Sequence, residues 1–284
     1  MNLRAFIQLT RFEHSLMLVL AVIIGQTIAL GHLPELWIAL LASLPAFLIG
    51  LASFAINDFF DVATDRENNR KDRPIVNGSV QEQEAFYLAM VLFAAGSVLS
   101  LFLSPNCSAI AGGFAIAAFL YSFRLKDVPL VGNLYIAATM AIPFIYGNYS
   151  VLDELKPAVI VLSLIAFVTG VAREIAGDVR DMEGDKKARK SETLPMEIGK
   201  NKALMVHSAL YILAVLMSFY PYLFVKGFEG NIRYLVPILL TDALILYAAI
   251  STLLDDSVSS LKRSRNVSLA ALGTGLLGFL LGSL

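Results

Sequence analysis

The sequence predicts an all-α protein that crosses a membrane many times, and three observations carry that prediction. Hydrophobic residues make up 57% of the 284 positions and charged residues only 16%, with a mean hydropathy of +0.70. Soluble domains are closer to about 25% charged. Apolar runs of about 16 to 22 residues recur along the whole chain, each near the length a helix needs to cross a bilayer. The loops between these runs alternate between strongly basic and nearly uncharged.

Nine membrane helices are expected. The first runs from Ser15 to Leu30. Arg4 and Arg11 ahead of it resemble the start of a signal peptide. No small-residue cleavage site follows, however, and GHLPE reads as a turn, so the run is expected to remain as a membrane helix. The next three are expected over Leu36 to Asn57, Glu84 to Leu103 and Cys107 to Phe123. Leu130 to Tyr149 and Pro157 to Ala176 follow. The last three are Leu204 to Val225, Ile232 to Leu254 and Asn266 to Leu284. Each is placed by its apolar length and by the polar or turn-forming residues that bound it.

Loop charge gives an orientation. Arg66, Arg70, Lys71 and Arg73 follow the second helix, and Arg124 and Lys126 the fourth. Arg180, Lys186, Lys187, Arg189, Lys190, Lys200 and Lys202 follow the sixth, and Lys262, Arg263 and Arg265 the eighth. The opposite side carries only Lys156, Lys226 and Arg233. The positive-inside rule then puts the N-terminus in the cytoplasm and, after nine spans, the C-terminus outside the cell membrane. The net charge of −1 carries no information about partners. The single cysteine, Cys107, excludes an intramolecular disulfide and a multi-cysteine metal site.

Two aspartate triplets share the spacing D-x-x-D-x-x-x-D: Asp58, Asp61 and Asp65 in NDFFDVATD, and Asp178, Asp181 and Asp185 in DVRDMEGD. Positions i, i+3 and i+7 share a helix face. Each triplet therefore presents three carboxylates together, which repel one another unless cations are near. Mg²⁺ suits them, because it takes oxygen ligands and is commonly shared between carboxylates and phosphates. Both triplets end an apolar run on the side read as cytoplasmic, so two facing clusters could hold a diphosphate through metal ions. Arg66 and Arg73 stand by the first triplet, Arg173 and Arg180 by the second, and Lys126 ends the fourth helix on the same side. Such groups stabilise the charge that grows on a leaving diphosphate when an allylic C–O bond breaks. The apolar tail left behind needs a greasy channel, which a helical bundle in a membrane supplies. The two long basic loops are expected to cap the site, partly as short helices.

The first triplet is preceded by Asn57 and followed by Asn68, then by Arg73-Pro74-Ile75 and Gly78. This pattern resembles the first motif of the UbiA superfamily of intramembrane prenyltransferases, and D-x-x-D-x-E-G-D resembles its second. The resemblance covers nearly the whole chain. It implies a UbiA-like bundle and Mg²⁺-dependent transfer of a prenyl group from a prenyl diphosphate. By resemblance, Asn57, Asp58, Asp61, Asp65 and Asn68 form one metal–diphosphate half-site, and Asp178, Asp181 and Asp185 the other. All six aspartates are metal-ligand candidates, with Asp61, Asp65, Asp181, Asp185 and Lys126 as the catalytic set. Substrate contacts are expected from Asn57, Asn68, Arg73, Tyr121, Lys126 and Arg173.

YSFRLKDVPLVGN with IPFIYG, and REIAGDVRDMEGD with TLP, are similar to an archaeal branch of the superfamily. That branch joins geranylgeranyl diphosphate to geranylgeranylglyceryl phosphate, a step of archaeal ether-lipid synthesis. Transfer to an aromatic or quinone-precursor acceptor is the alternative. Tyr121 and Lys126 are five residues apart, where aromatic-acceptor members often have four. The expected partners are a prenyl diphosphate, a lipid acceptor and membrane lipids, with no nucleic acid and no protein partner evident. The chain is expected to form a single domain over 1–284. The recurrence of the triplet four helices on suggests pseudo-repeats at about 1–125 and 126–260, followed by a ninth helix.

Other signals point elsewhere. Gly273, Gly275 and Gly278 spell G-x-G-x-x-G, but inside an apolar helix they read as close helix packing. His14, His32 and His207 have no ligand spacing. Asp242, mid-way along the eighth helix, is either functional or hydrogen-bonded to a neighbouring helix, and both readings stay open. Tyr146 and Tyr149 read as interface anchors or cation-facing rings, and Arg11 as an anchor to lipid headgroups, with contact to an acceptor phosphate as the alternative. An ion transporter would hold its carboxylates near the bilayer midplane, whereas both triplets lie at helix ends. A phosphatidyltransferase of CDP-activated alcohols needs a glycine where Met182 stands and a second aspartate pair, and none follows Arg189 closely.

Overall fold

The computed structural model describes the backbone of residues 1–188 and 193–284, and all side chains there except those of Asp127 and of residues 183–188. Every regular element among these residues is a helix. In chain order they are α1 (Leu3–Thr10), α2 (Phe12–Leu30), α3 (Leu36–Phe60), α4 (Val62–Glu67), α5 (Glu82–Ser100) and α6 (Pro105–Phe123). A short 3₁₀ turn, Leu125–Asp127, precedes α7 (Val131–Tyr149) and α8 (Pro157–Ala188). α9 (Leu194–Ile198), α10 (Lys200–Phe224), α11 (Ile232–Leu254) and α12 (Val258–Ser283) complete the chain.

Among the described residues, eight helices are long and apolar enough to cross a bilayer: α2, α3, α5, α6, α8 as far as Met182, α10, α11 and α12. α7 occupies the place of the fifth expected span but falls outside that set.

Several boundaries differ from expectation; α12, for example, begins at Val258 and not at Asn266. The first span is preceded by a separate helix, α1, and the two meet at Arg11, whose φ of 43° is left-handed. The second span does not stop at Asn57 but runs to Phe60, where Asp61 (φ −86°, ψ −4°) separates it from α4. The sixth runs twelve residues past Ala176, because loss of apolar character ends a span but not the backbone hydrogen-bond ladder. The short helices α4 and α9 stand where the sequence suggested helical pieces in the basic loops.

The chain divides into two compact units. Unit 1 comprises residues 1–26, 34–126 and 146–154, and unit 2 comprises 27–33, 127–145 and 155–284. In unit 1, α3 packs against α1, α5 and α6. Small residues make these seams: Ala52, Ala55, Ala85, Ala89, Ala111 and Ala118 are all buried. A Cβ added at Gly96 would lie 2.9 Å from the carbonyl oxygen of Pro45, so α5 can lie this close to α3 only with glycine there. Small residues at such seams suit helices that associate in lipid, where close backbone approach replaces the hydrophobic effect. In unit 2, α10 packs on α8 and α11, and α12 on α11 and α8. The outward faces are apolar: Trp37, Phe102, Phe224 and Leu254 are all exposed. A bilayer is the solvent those faces fit.

Candidate active site

In unit 1 the first aspartate triplet lies across the joint between α3 and α4. Asp58 is in the last turn of α3, Asp61 is the joint itself, and Asp65 is in α4. The expected single helix face is therefore interrupted, but only slightly. The Asp61 N–H still donates to the Asn57 carbonyl (2.9 Å) and the Asp65 N–H to that of Asp61 (2.8 Å). The i→i−4 spacing is kept, so the carboxylates stay close to one another.

Each of these carboxylates has a cation. Arg73 donates Nη1–H to Oδ1 of Asp58 (2.9 Å), and its Nε lies 3.5 Å from Oδ2 of Asp65. Arg11 donates to the same Asp58 oxygen at 3.2 Å. Lys126, in the turn after α6, donates to Oδ1 of Asp61. Arg73 reaches back because the chain turns sharply after α4. Asn69 takes a left-handed φ of 51°, the Arg70 N–H donates to the Asp65 carbonyl (2.9 Å), and the Arg73 N–H to that of Arg70 (2.9 Å). Asparagine tolerates that conformation better than most residues. Arg70 is itself tied to Asp72, whose carboxyl it holds down at about 2.

Burial shapes this cluster. Asp58 is 2% exposed, and its second oxygen, Oδ2, is buried with no hydrogen-bond partner among the described residues. Two guanidinium groups on one oxygen offset the desolvation of that charge. Burial pushes the Asp65 carboxyl up, with Arg73 opposing. Burial, then the charge of Arg73, lowers Arg11, with Asp58 opposing. The Arg11 guanidinium also lies over the Phe54 ring, 4.8 Å from its centroid. Asn57 is half-buried beside Asp58, and Asn68 is exposed at the C-terminal cap of α4. Tyr121 is half-buried near the end of α6, before the turn that carries Lys126.

In unit 2 the second triplet lies along α8. Asp178 accepts from Nδ2 of Asn133 on α7 at 2.7 Å. Asp181 is exposed and is held by its neighbour Arg180 through Nε at 2.8 Å and Nη2 at 2.5 Å. The backbone at Asp185 continues the helix, but its side chain lies outside the described residues. Arg173 lies on α8 before Asp178, and its Nη1 is buried without a hydrogen-bond partner among the described residues.

Two expectations change and one residue is added. Arg66 does not serve the first triplet: it pairs with Glu82 at 2.7 Å, on the exposed side of the α4–α5 loop. Arg11 does not point to headgroups but to Asp58, 47 positions away, which no local pattern could reveal. Asn133 is a neutral amide inside the VGN stretch, with no spacing signal linking it to Asp178. Asp242 is hydrogen-bonded to Ser218 Oγ at 2.8 Å, which joins α10 to α11.

The donor atoms on offer suit a hard divalent cation. They are carboxylate oxygens of Asp58, Asp61, Asp65, Asp178 and Asp181 and amide oxygens of Asn57 and Asn68, with an orphaned buried oxygen at Asp58. Among the described residues no three His, Cys, Asp or Glu side chains converge to hold one ion. Mg²⁺ does not require that, since it usually takes one or two carboxylates and completes its shell with water and phosphate.

The sequence model of the UbiA prenyltransferase family matches residues 18–282. The chain belongs to the UbiA prenyltransferase family. As a UbiA-family prenyltransferase it is 36% identical to the digeranylgeranylglyceryl phosphate synthase of Archaeoglobus fulgidus, over 99% of this chain and 96% of that one. A solved structure concerning digeranylgeranylglyceryl phosphate synthase in membranes superposes with a TM-score of 0.86 at 29% identity, covering 99% and 98% of the two chains. A UbiA homologue from Archaeoglobus fulgidus, solved with DMAPP and Mg²⁺, has a TM-score of 0.67 at 20% identity over 96% and 98%. At that identity the last comparison speaks to the fold alone. Family membership makes the chain an enzyme and sets aside the transporter and phosphatidyltransferase readings.

Proposed function

We propose that this prenyltransferase moves a geranylgeranyl group from geranylgeranyl diphosphate to the free hydroxyl of geranylgeranylglyceryl phosphate, with Mg²⁺ as cofactor. The observation that carries this is the set of cations on the first triplet: Arg11 and Arg73 on Asp58, Arg73 on Asp65, and Lys126 on Asp61. These three basic groups balance three carboxylates, so in this state the cluster is poised near neutrality. When bound, Mg²⁺ neutralises the diphosphate and helps its C–O bond to break. Metal ligation by Asp58, Asp61 and Asp65 would free Arg73 and Lys126 to donate to diphosphate oxygens, where negative charge grows in the transition state. Asn57 and Asn68 add neutral donors and acceptors to the same half-site. Asp178, Asp181 and Asp185 form the second half-site, with Asn133 orienting Asp178. Tyr121, beside Lys126, and Arg173, before Asp178, complete the substrate contacts.

The reading extends to topology. All nine long helices, α7 included, span the cell membrane, with the N-terminus in the cytoplasm and the C-terminus outside. The chain works as a single domain built from pseudo-repeats at about 1–125 and 126–260 plus a ninth helix. The repeated triplet and the loop charges support this.

The test is a product assay by mass spectrometry. Purified protein is given geranylgeranyl diphosphate, Mg²⁺ and either geranylgeranylglyceryl phosphate or 4-hydroxybenzoate. A diether phosphate product is expected. Prenylated 4-hydroxybenzoate as the main product would move the assignment to an aromatic acceptor.

A further inference from the structure

Unit 2 holds a second basic group beside the second aspartate triplet, centred on Arg173. α8 packs on both α10 and α12 there, and Ala172, Tyr211 and Ala271 from those three helices share one buried apolar cluster. Arg173 follows Ala172 directly. The turn of α8 that carries it is fixed by fully buried His207, whose Nδ1–H donates to the Ala172 carbonyl at 2.8 Å. Arg173 then presents a buried Nη1 with no hydrogen-bond partner among the described residues.

Arg265, on α12, stands within electrostatic reach of Arg173. The two are linked through the intervening helix. Arg173 also lies within electrostatic reach of the Tyr211 side chain, and the Tyr211 hydroxyl is hydrogen-bonded to Ser268. Ser268 in turn donates to the backbone carbonyl of Arg265 at 2.8 Å. Glu174 is the carboxylate that acts on both arginines. Nearby Arg180 is held by Asp181. Arg173 and Arg265 thus lie near one another beside Glu174, and among the described residues Arg173 keeps an unfilled donor at its buried end.

We propose that Arg173 and Arg265 form a recognition site for a phosphate monoester, and that its ligand is the phosphate of the acceptor lipid. The proposal rests on the reading above that the acceptor is phosphorylated. Paired guanidinium groups bind phosphate oxygens through several parallel N–H donors, which an ammonium cannot reproduce. Arg265 is then a specificity-determining residue that the motifs do not mark. The phosphate headgroup of a bulk anionic lipid offers the same chemistry, so the test separates the two sources.

Arg265→Ala is assayed in nanodiscs of zwitterionic lipid. The KM for geranylgeranylglyceryl phosphate should rise about ten- to a hundredfold, the loss of one charge-assisted contact, while the KM for geranylgeranyl diphosphate stays put. Arg265→Lys should recover part of the loss, and Lys262→Ala, on the exposed start of α12, should change nothing. A parallel binding arm uses glycerol 1-phosphate as probe. It should raise the melting temperature of the wild type and not that of Arg265→Ala. An unchanged acceptor KM, an equal rise in both KM values, or an effect that appears only in anionic nanodiscs would overturn the proposal. If the wild type transfers only to an unphosphorylated acceptor, the functional reading fails by itself. The binding arm then decides this site: a thermal shift lost in the variant sustains it, and no shift in the wild type overturns it.

Discussion

Lys126 donates to Asp61, joining the turn after α6 to the joint between α3 and α4 across 65 positions of sequence. Asp61 is the residue at which the helix carrying the first triplet is interrupted. On the proposed reading, the same ammonium would turn from Asp61 to the diphosphate once metal takes that carboxylate. Lys126→Ala should lower kcat by roughly a hundred- to a thousandfold, as expected for loss of one preorganised cationic donor. Rapid-quench turnover at saturating Mg²⁺ would measure it. A kcat within a few-fold of wild type would show that Lys126 does nothing beyond its salt bridge.

Arg73 serves two buried carboxylates, and Arg11 only one. Removing Arg73 leaves Asp65 without its cation and Asp58 with a single, more exposed one. Arg73→Ala should therefore destabilise the fold by about 3 kcal/mol or more. Arg11→Ala should cost less, because Arg73 remains on Asp58. Thermal unfolding in one detergent would rank the pair, and the reverse order would contradict the assignment.

Gly147 in the IPFIYG stretch has a structural duty. A Cβ there would meet the carbonyl oxygen of Val22 at 2.2 Å, so only glycine lets this end of α7 lie against α2. Gly147→Ala should cost about 1–3 kcal/mol in stability through overpacking. Gly112→Ala on α6, where an added Cβ meets nothing within 4 Å, is the matched control. Equal melting temperatures for the two variants would refute the contact.

The orientation can be read with single cysteines in a Cys107→Ala background. Asn68→Cys and Lys226→Cys both sit at exposed positions. An impermeant maleimide should label the first only from the cytoplasmic face and the second only from outside. Labelling of both from one side would break the topology drawn from loop charge.

The helices were legible because a bilayer demands long apolar runs, and hydropathy reports such runs directly. It reports nothing about helix that continues into water, which is why α8 outruns its apolar stretch and α1 goes unseen. The aspartates stood out because six like charges in one repeated spacing are conspicuous against an apolar background. Their partners were harder to find. Arg73 lies close in sequence and belongs to a recognisable motif. Arg11 and Asn133 lie 47 and 45 positions from Asp58 and Asp178, and only the folded chain brings them in. Arg66 sits beside Asp65 in sequence yet turns away to Glu82, so adjacency misled.

The central claim is that both aspartate groups are needed for diphosphate-dependent transfer. The most direct measurement is the turnover of Asp61→Ala and Asp181→Ala, each with geranylgeranyl diphosphate and geranylgeranylglyceryl phosphate at saturating Mg²⁺. Folding would be checked by size-exclusion profile and melting temperature. Neither aspartate lies in the packed core, so both variants should purify as folded membrane protein with turnover abolished. Activity near wild type in either variant would contradict the account.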